Sequence, residues 1–383
     1  MTKGIGFLLG AGASYELGLP LVDELTIEFK TTITRLWNSS YYKLPQKIEQ
    51  ILLPLFANES LNYEDIIGRI EVEIQRNHNK TLYQEWYGVL HRYLEVIYYL
   101  LFERHEKNQQ YIKKRLHLLK PINKYCQDSP LWIFSLNHDL LIEMMAEYFS
   151  IPLESGFKDS IKLGGISFER LSRENMNNHQ FNFIQNSNGI NLIKIHGSLD
   201  IFVHGDEKNY LKIVHENNII DKINFLKNND PTLKKGVKVT NEITYNDDKN
   251  ILQFLRMTIM SGKHKYSSRV SHNMDDWFFK IFQGHINYVT ELYCIGLSFQ
   301  DQHVSSVLYD WLSFSRERKM IIVNPYLKSI PNEFTHISDQ IEIINKGFLE
   351  FLNQDEDSNK VKIKFNKTMR DFSRKQFIRK QVS

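Results

Sequence analysis

The feature that most constrains this chain is how its short apolar runs end. The candidate strands lie in GIGFLL (4–9), LWIFSLN (131–137), LIKIHG (192–197), YVTELYCIGLS (288–298) and KMIIVNP (319–325), and turn or polar residues end each of them. Runs of that length read as buried strands. Each passes directly into small or polar residues: Gly10-Ala11-Gly12, Asn137-His138-Asp139, His196-Gly197, Gly296-Leu297-Ser298 and Asn324-Pro325. Helical patterns lie between them. One covers 13–37 with a break at Pro20, HDLLIEMMAEYF follows the second run, and HVSSVLYDWLSFS separates the last two. Apolar strands alternating with helices form an open parallel sheet covered on both faces. The expected fold is therefore α/β, a Rossmann-like parallel sheet with helices on both faces. In such sheets ligands bind beyond the carboxyl ends of the strands, which is where the polar residues fall.

Two blocks stand outside this alternation. Residues of about 40–125 repeat apolar positions at three- and four-residue spacing, as in YEDIIGRIEVEI and YGVLHRYLEVIYYLLFERH, and read as a large helical insertion. Residues of about 205–285 open with a polar stretch rich in Asn and Lys and read as an irregular insertion. IFVHG (201–205) reads as a hairpin partner of the LIKIHG strand. IEIINKGFLEFLNQ closes the pattern with a short strand and helix. The expected organisation is a catalytic domain over 1–350 and a basic tail over 351–383.

Composition narrows the function. The chain has 383 residues and only two cysteines, Cys126 and Cys294, which excludes a disulfide scaffold and a four-cysteine zinc site. Its start, MTKGIGFLLGAGAS, is too short and too glycine-rich for a signal peptide, and no 18-residue apolar run occurs, so a cytoplasmic protein without membrane contact is expected. From Lys360 onward nine Lys/Arg stand against one acid, Asp371, while the whole chain carries only +3. That tail reads either as a solvated terminal helix or as an arm for nucleic acid or an acidic partner.

Each strand end has two readings. Gly10, Ala11, Gly12 and Ser14 form a tight strand-to-helix turn or a cradle for a pyrophosphate. Tyr15 stands where a dinucleotide fingerprint has its third glycine. Asn137 can hold a water or a ribose hydroxyl. Asp139 can serve the site or cap the next helix. His196, directly followed by Gly197, suits a general base or a packed core histidine. Gly296, Ser298 and Asn324 offer small or polar contacts for phosphate and ribose.

In their order, GAGAS with GLP, S-L-N-H-D, I-H-G, G-L-S and V-N-P resemble the motifs of the sirtuin family. The match runs from residue 4 to about 326 and leaves out the two insertions. The resemblance implies that Ala11 and Gly12 line the phosphates of NAD, and that Asn137 and His196 form the catalytic pair with Asp139 in support. Ser298 and Asn324 would meet the adenosine half. The chain departs from sirtuin deacylases in lacking their four-cysteine zinc module, and GLPLVDEL replaces their phenylalanine-arginine segment. What remains resembles the sirtuin-like NAD hydrolases of bacterial anti-phage systems, and NYEDIIGRIE (62–71) looks like an acidic helical segment of that group. The implied activity is cleavage of NAD+, as substrate, to ADP-ribose and nicotinamide, without zinc, in defence by NAD+ depletion. A homo-oligomer and pairing with a HerA-type ATPase are implied as well. An NAD- or ADP-ribose-binding module without hydrolysis, a deacylase and an ADP-ribosyl transferase are the alternatives.

Overall fold

The computed structural model describes residues 4–39, 43–205, 209–214, 218–237, 239–267, 270 and 276–382. Its centre is a seven-stranded sheet in the order β13-β12-β11-β1-β2-β6-β3. The strands are β1 (Ile5–Leu9), β2 (Leu131–Ser135), β3 (Leu153–Glu154), β6 (Ile190–Lys194), β11 (Glu291–Ile295), β12 (Lys319–Val323) and β13 (Ile341–Ile344). All neighbours pair in parallel. From β1 the chain builds outward through β2 and β6, then returns to lay β11 against the other edge of β1. The crevice between β1 and β11 is thus a topological switch point, where open α/β sheets bind ligands.

Both faces of the sheet are covered, as the apolar runs require. Phe7, Leu9, Ile133, Leu192 and Ile321 point into one core, shared with a 3₁₀ stretch over Leu116–Tyr125, α6 (Leu141–Phe149) and α12 (Phe348–Leu352). Leu8, Phe134, Ile193, Cys294 and Ile322 point into the opposite core, against α10 (Trp277–His285) and α11 (Gln302–Phe314). The alternation of successive residues between the two cores is the period-two pattern of a strand.

The helical insertion is present as expected. After α1 (Ala11–Tyr15) and α2 (Val22–Trp37) come α3 (Gln46–Ala57), α4 (Tyr63–Arg76) and the long α5 (Lys80–Lys113). The second insertion is not irregular. Among its described residues are β8 (Asn209–Ile213), α8 (Ile219–Asn228), α9 (Pro231–Lys234), β9 (Glu242–Asn246) and β10 (Leu252–Met257). Residues 206–208, 215–217, 238, 268, 269 and 271–275 of that insertion lie outside the described ones. With β4 (Asp159–Leu163), β5 (Ile166–Leu171) and β7 (Ile201–His204) these strands build an antiparallel sheet in the order β4-β5-β8-β7-β10-β9. A short helix, α7 (Arg173–Asn177), follows β5. Phe168, Phe202, Leu211, Ile243 and Leu255 of this sheet share a third core with α2, α4 and α5. The polar Asn/Lys stretches are the connections, and they obscure the short strands between them.

IFVHG accordingly pairs with β8 and β10, not with LIKIHG. Gly197 explains the departure. It sits at φ +83°, and a Cβ there would lie 1.8 Å from the Thr258 carbonyl oxygen, so the chain leaves the parallel sheet at a point only glycine fits.

The C-terminal segment is α13 (Asp357–Val382), and the boundary expected at 350 falls inside α12, which is packed into the sheet's core. One face of α13 is docked. Arg370 pairs with Glu24 at 2.8 Å, Arg374 contacts Asp23, and Tyr15 donates to Asp371 at 2.7 Å. Lys362, Lys364, Lys375 and Lys380 lie on its exposed side.

Candidate functional site

Register brings the strand ends to one level. Leu9 pairs with both Ser135 and Ile295, Ser135 with Lys194, and Ile295 with Val323. The residues that follow therefore emerge along one rim. A cleft of about 1590 Å³ opens there, and Gly10, Ala11, Gly12, Ser14, Asn137, Asp139, His196, Gly296, Ser298 and Asn324 all line it. Every residue expected to serve the site is brought to this one cavity.

Within the cleft these residues also hold one another in place. The glycines of the first loop serve close packing between loops. A Cβ on Gly10 or Gly12 would lie 2.7–2.8 Å from Gly296, and Gly296 itself sits at φ +65° with Ala13 N only 2.4 Å from a Cβ position. The Gly12 amide donates to the Gly296 carbonyl at 3.1 Å, and the Ala13 amide to Gly10 O at 2.9 Å. Two N–H groups of the turn are thus already used within the protein.

Ser14, Asn137 and Asp139 form one network. Ser14 Oγ donates to Asp139 Oδ2 at 2.6 Å, while the Asn137 amide donates to Gly10 O at 2.9 Å and Ser14 Oγ at 3.1 Å. Asp139 Oδ1 accepts from the backbone N–H of Leu141, the first residue of α6, at 3.0 Å, from one position ahead of the N-cap Leu140. Beneath this loop the buried Lys194 pairs with Glu143 at 3.3 Å and donates to the Asp139 carbonyl. Asn324 is similarly occupied. Its amide donates to Leu297 O at 2.9 Å, and its Oδ1 accepts from Tyr326 N at 2.9 Å, tying two rim loops together. Ser298 is exposed at the mouth.

His196 is the electrostatic centre. Its Nε2 lies 3.1 Å from Asp301 Oδ2, close to it but off the line of a hydrogen bond. Lys265 Nζ approaches the same oxygen at 2.7 Å. Asp301 Oδ1 accepts from His303 N and Val304 N at the start of α11, which fixes the carboxylate in place. Burial and then the Lys265 charge push His196 down to about 4, against the opposing pull of Asp301. Burial would raise Asp301, but His196 and Lys265 outweigh it and hold the carboxyl well below the usual range. His196 is therefore neutral at pH 7 with an anion fixed beside one ring nitrogen. That favours the proton on Nε2 and leaves Nδ1 as the basic atom. His138 is adjacent, its ring centre 6.3 Å from that of His196, and burial followed by the His196 charge drives it to about 3.

The insertions close the cleft. Asn62, Tyr63, Glu64 and Asp65 at the start of α4 line it, as does the 262–265 loop. That loop is held to α4 by Lys263 on Asp65 at 2.5 Å and by the His264 amide on Glu71 at 2.7 Å. The acidic segment NYEDIIGRIE is thus a cleft wall at its N-terminal end and a clamp at its buried Glu71.

Sequence reasoning missed Asp301, Lys265 and His105, all of which line the cleft. Asp301 carried a signal, an acid just before the helical run HVSSVLYDWL, where an N-cap is expected. Lys265 carried none, because its loop acquires a place only through contacts with α4. No protein-family model matches this chain, and no curated protein is similar to it in sequence. Among the described residues, no helix is long and apolar enough to cross a membrane.

Proposed function

We propose that this protein is a sirtuin-like NAD+ glycohydrolase, cleaving NAD+ to ADP-ribose and nicotinamide. The observation that carries the reading is the convergence of the glycine loop, Asn137 and an Asp301-backed His196 on one cleft at the switch point of a parallel sheet. The order of the resembling motifs, each at a strand end, supports NAD+ as the dinucleotide.

In this mechanism the bond from ribose C1′ to the pyridinium nitrogen breaks, and its electron pair leaves with nicotinamide. An oxocarbenium-like centre develops on the ribose, as in other glycosyl cleavages. The Asn137 amide protons are taken up by Gly10 and Ser14, which aims the side chain rigidly and leaves its Oδ1 to hold a water. The water oxygen bonds to C1′, and its proton passes to His196 Nδ1. Asp301 offsets the positive charge that then develops on the imidazole ring. Ser298 at the mouth and the Gly296 loop would border the phosphates and adenosine.

A role in anti-phage defence, a homo-oligomer and a HerA-type ATPase partner are proposed on the resemblance alone, and a cytoplasmic location on the lack of a long apolar run. The exposed lysines of α13 are where nucleic acid would bind.

The test is nicotinamide release by the purified protein. His196→Ala and Asn137→Ala should each lower turnover at least about 100-fold while the protein stays folded, since general-base assistance is worth roughly 10²–10⁴-fold. Wild-type turnover in both folded variants would sink the mechanism. Binding of NAD+ with no nicotinamide release under any condition would favour a nucleotide-binding module instead.

A further inference from the structure

His105 lies on α5, in the helical insertion, and its side chain is fully buried yet lines the cleft. Its Nε2 accepts the Leu140 backbone N–H at 2.9 Å, at the end of the loop that carries Asn137 and Asp139. A ring nitrogen that accepts an N–H holds no proton, so in the neutral imidazole the proton is on Nδ1. That Nδ1 is buried and has no hydrogen-bond partner among the described residues. Buried N–H groups are rarely left so in a finished structure, and a ligand or an ordered water normally meets them. Asp139 and Lys194 are the charged groups acting on this ring. Lys194 is already committed to Glu143 and the Asp139 carbonyl, and the nearby Asp139 disfavours an anion. The acceptor that suits this position is therefore an uncharged oxygen.

We propose that His105 is a ligand-binding residue of the cleft, its Nδ1–H donating to an uncharged oxygen of the bound nucleotide, a ribose hydroxyl or the nicotinamide carbonyl. The inference rests on the nucleotide reading of the site and adds a residue from outside the parallel sheet. The helical insertion on this view completes the binding site as well as covering it.

Two near-isosteres separate the two ring nitrogens. Gln places an oxygen near Nε2 and keeps the acceptor for Leu140, but has no donor at Nδ1. Asn places an amide near Nδ1 and gives up the Leu140 contact. The probes are ADP-ribose and nicotinamide with the full-length chain, and NAD+ with the chain carrying His196→Ala. His105→Gln should weaken at least one of them about three- to tenfold, the value of one neutral hydrogen bond. His105→Asn should keep that affinity and melt at a lower temperature. Weakened ADP-ribose binding identifies the ribose as the acceptor, and a loss confined to nicotinamide and NAD+ identifies the carbonyl. Unchanged affinity for all three in folded His105→Gln overturns the inference and leaves the nucleotide reading intact. Failure of the wild-type protein to bind any of the three overturns both. If His105→Gln does not fold, ¹⁵N-histidine labelling of the wild-type protein decides. The Nδ1–H signal of a ring bonded at Nε2 should shift when ADP-ribose or nicotinamide is added, and an unmoved signal overturns the inference.

Discussion

Asp301→Asn tests the proposed chemistry most directly, because it changes charge while keeping shape. Asn replaces Asp well at a helix N-cap, so the bonds to the His303 and Val304 amides survive and α11 keeps its start. What is lost is the negative charge 3.1 Å from His196 Nε2. A unit charge pair at that separation and an effective dielectric near 20 is worth about 5 kcal/mol. That is the upper limit of what Asp301 gives to an imidazolium forming as His196 takes a proton. Lys265, 2.7 Å from the same oxygen, cancels part of it in the wild-type protein and opposes the imidazolium outright once Asp301 is neutral. A fall of about 10²–10³-fold in kcat follows for nicotinamide release, equivalent to roughly 3–4 kcal/mol. The double variant Asp301→Asn with Lys265→Met removes both charges and should recover at least about tenfold over the single one, a coupling that independent sites would not show. The sign in pH is also fixed. Losing the anion lowers the His196 pKa further below about 4, so the low-pH limb of the rate profile moves to more acidic pH while the plateau falls. A folded Asp301→Asn protein with the wild-type kcat and profile would refute the role given to Asp301.

Three further outcomes probe the frame around the site. Gly296→Ala introduces a Cβ 2.4 Å from Ala13 N at φ +65°. The left-handed backbone alone costs about 1–2 kcal/mol, so a clearly lower melting temperature and loss of nicotinamide release are expected, and an unchanged melt would contradict the loop contact. Glu71 is raised by burial to about 7, above its unfolded value, so it stabilises the fold below pH 4–5 and loses that contribution as pH rises through 7. The unfolding free energy of Glu71→Gln relative to wild type, from denaturant melts, should therefore climb between pH 5 and pH 8, by an amount approaching roughly 3 kcal/mol. A constant difference across that range would mean that the carboxyl is not held protonated. Arg370→Ala strands the buried Glu24 carboxylate. Breaking one side of a buried pair costs about 3–5 kcal/mol, and a melt within a degree of wild type would show that α13 does not dock through this contact.

The parallel sheet was legible because burial on both faces leaves an unbroken apolar run, and five such runs ending in polar residues can hardly be anything else. LWIFS and KMIIV appear as strands at the expected places. The antiparallel sheet was not legible for the opposite reason. Its strands, such as NYLKI and EITYN, are short and set among Asn- and Lys-rich connections, so their apolar residues never accumulate into a run. One signal was available and unused. DSIKLGGISFERL alternates apolar and polar residues on either side of Gly164-Gly165, the pattern of a hairpin, and it forms β4 and β5.

The candidate site divides along the same line. A residue at a strand end is placed by the sheet, whose register is set locally, so Asn137 and His196 could be put at one rim from the sequence. A residue that completes the site from an insertion is placed by tertiary packing alone. His105 is one of many polar positions on a helix of 34 residues, and only the packing of α5 against the 136–140 loop makes it a partner of Leu140. Lys265 reaches Asp301 only because Glu71 and Asp65 of α4 hold its loop. The glycines show the converse. Gly10 and Gly12 had two readings, a tight turn or a cradle for phosphate, and the space that they and Gly296 leave is filled largely by one another. Their tight contact sets the width of the crevice between β1 and β11. On this reading the sheet supplies the reacting groups and the insertions tune them, so substitutions at His105 and Lys265 should alter affinity and the electrostatics of His196 while those at Asn137 and His196 remove the chemistry.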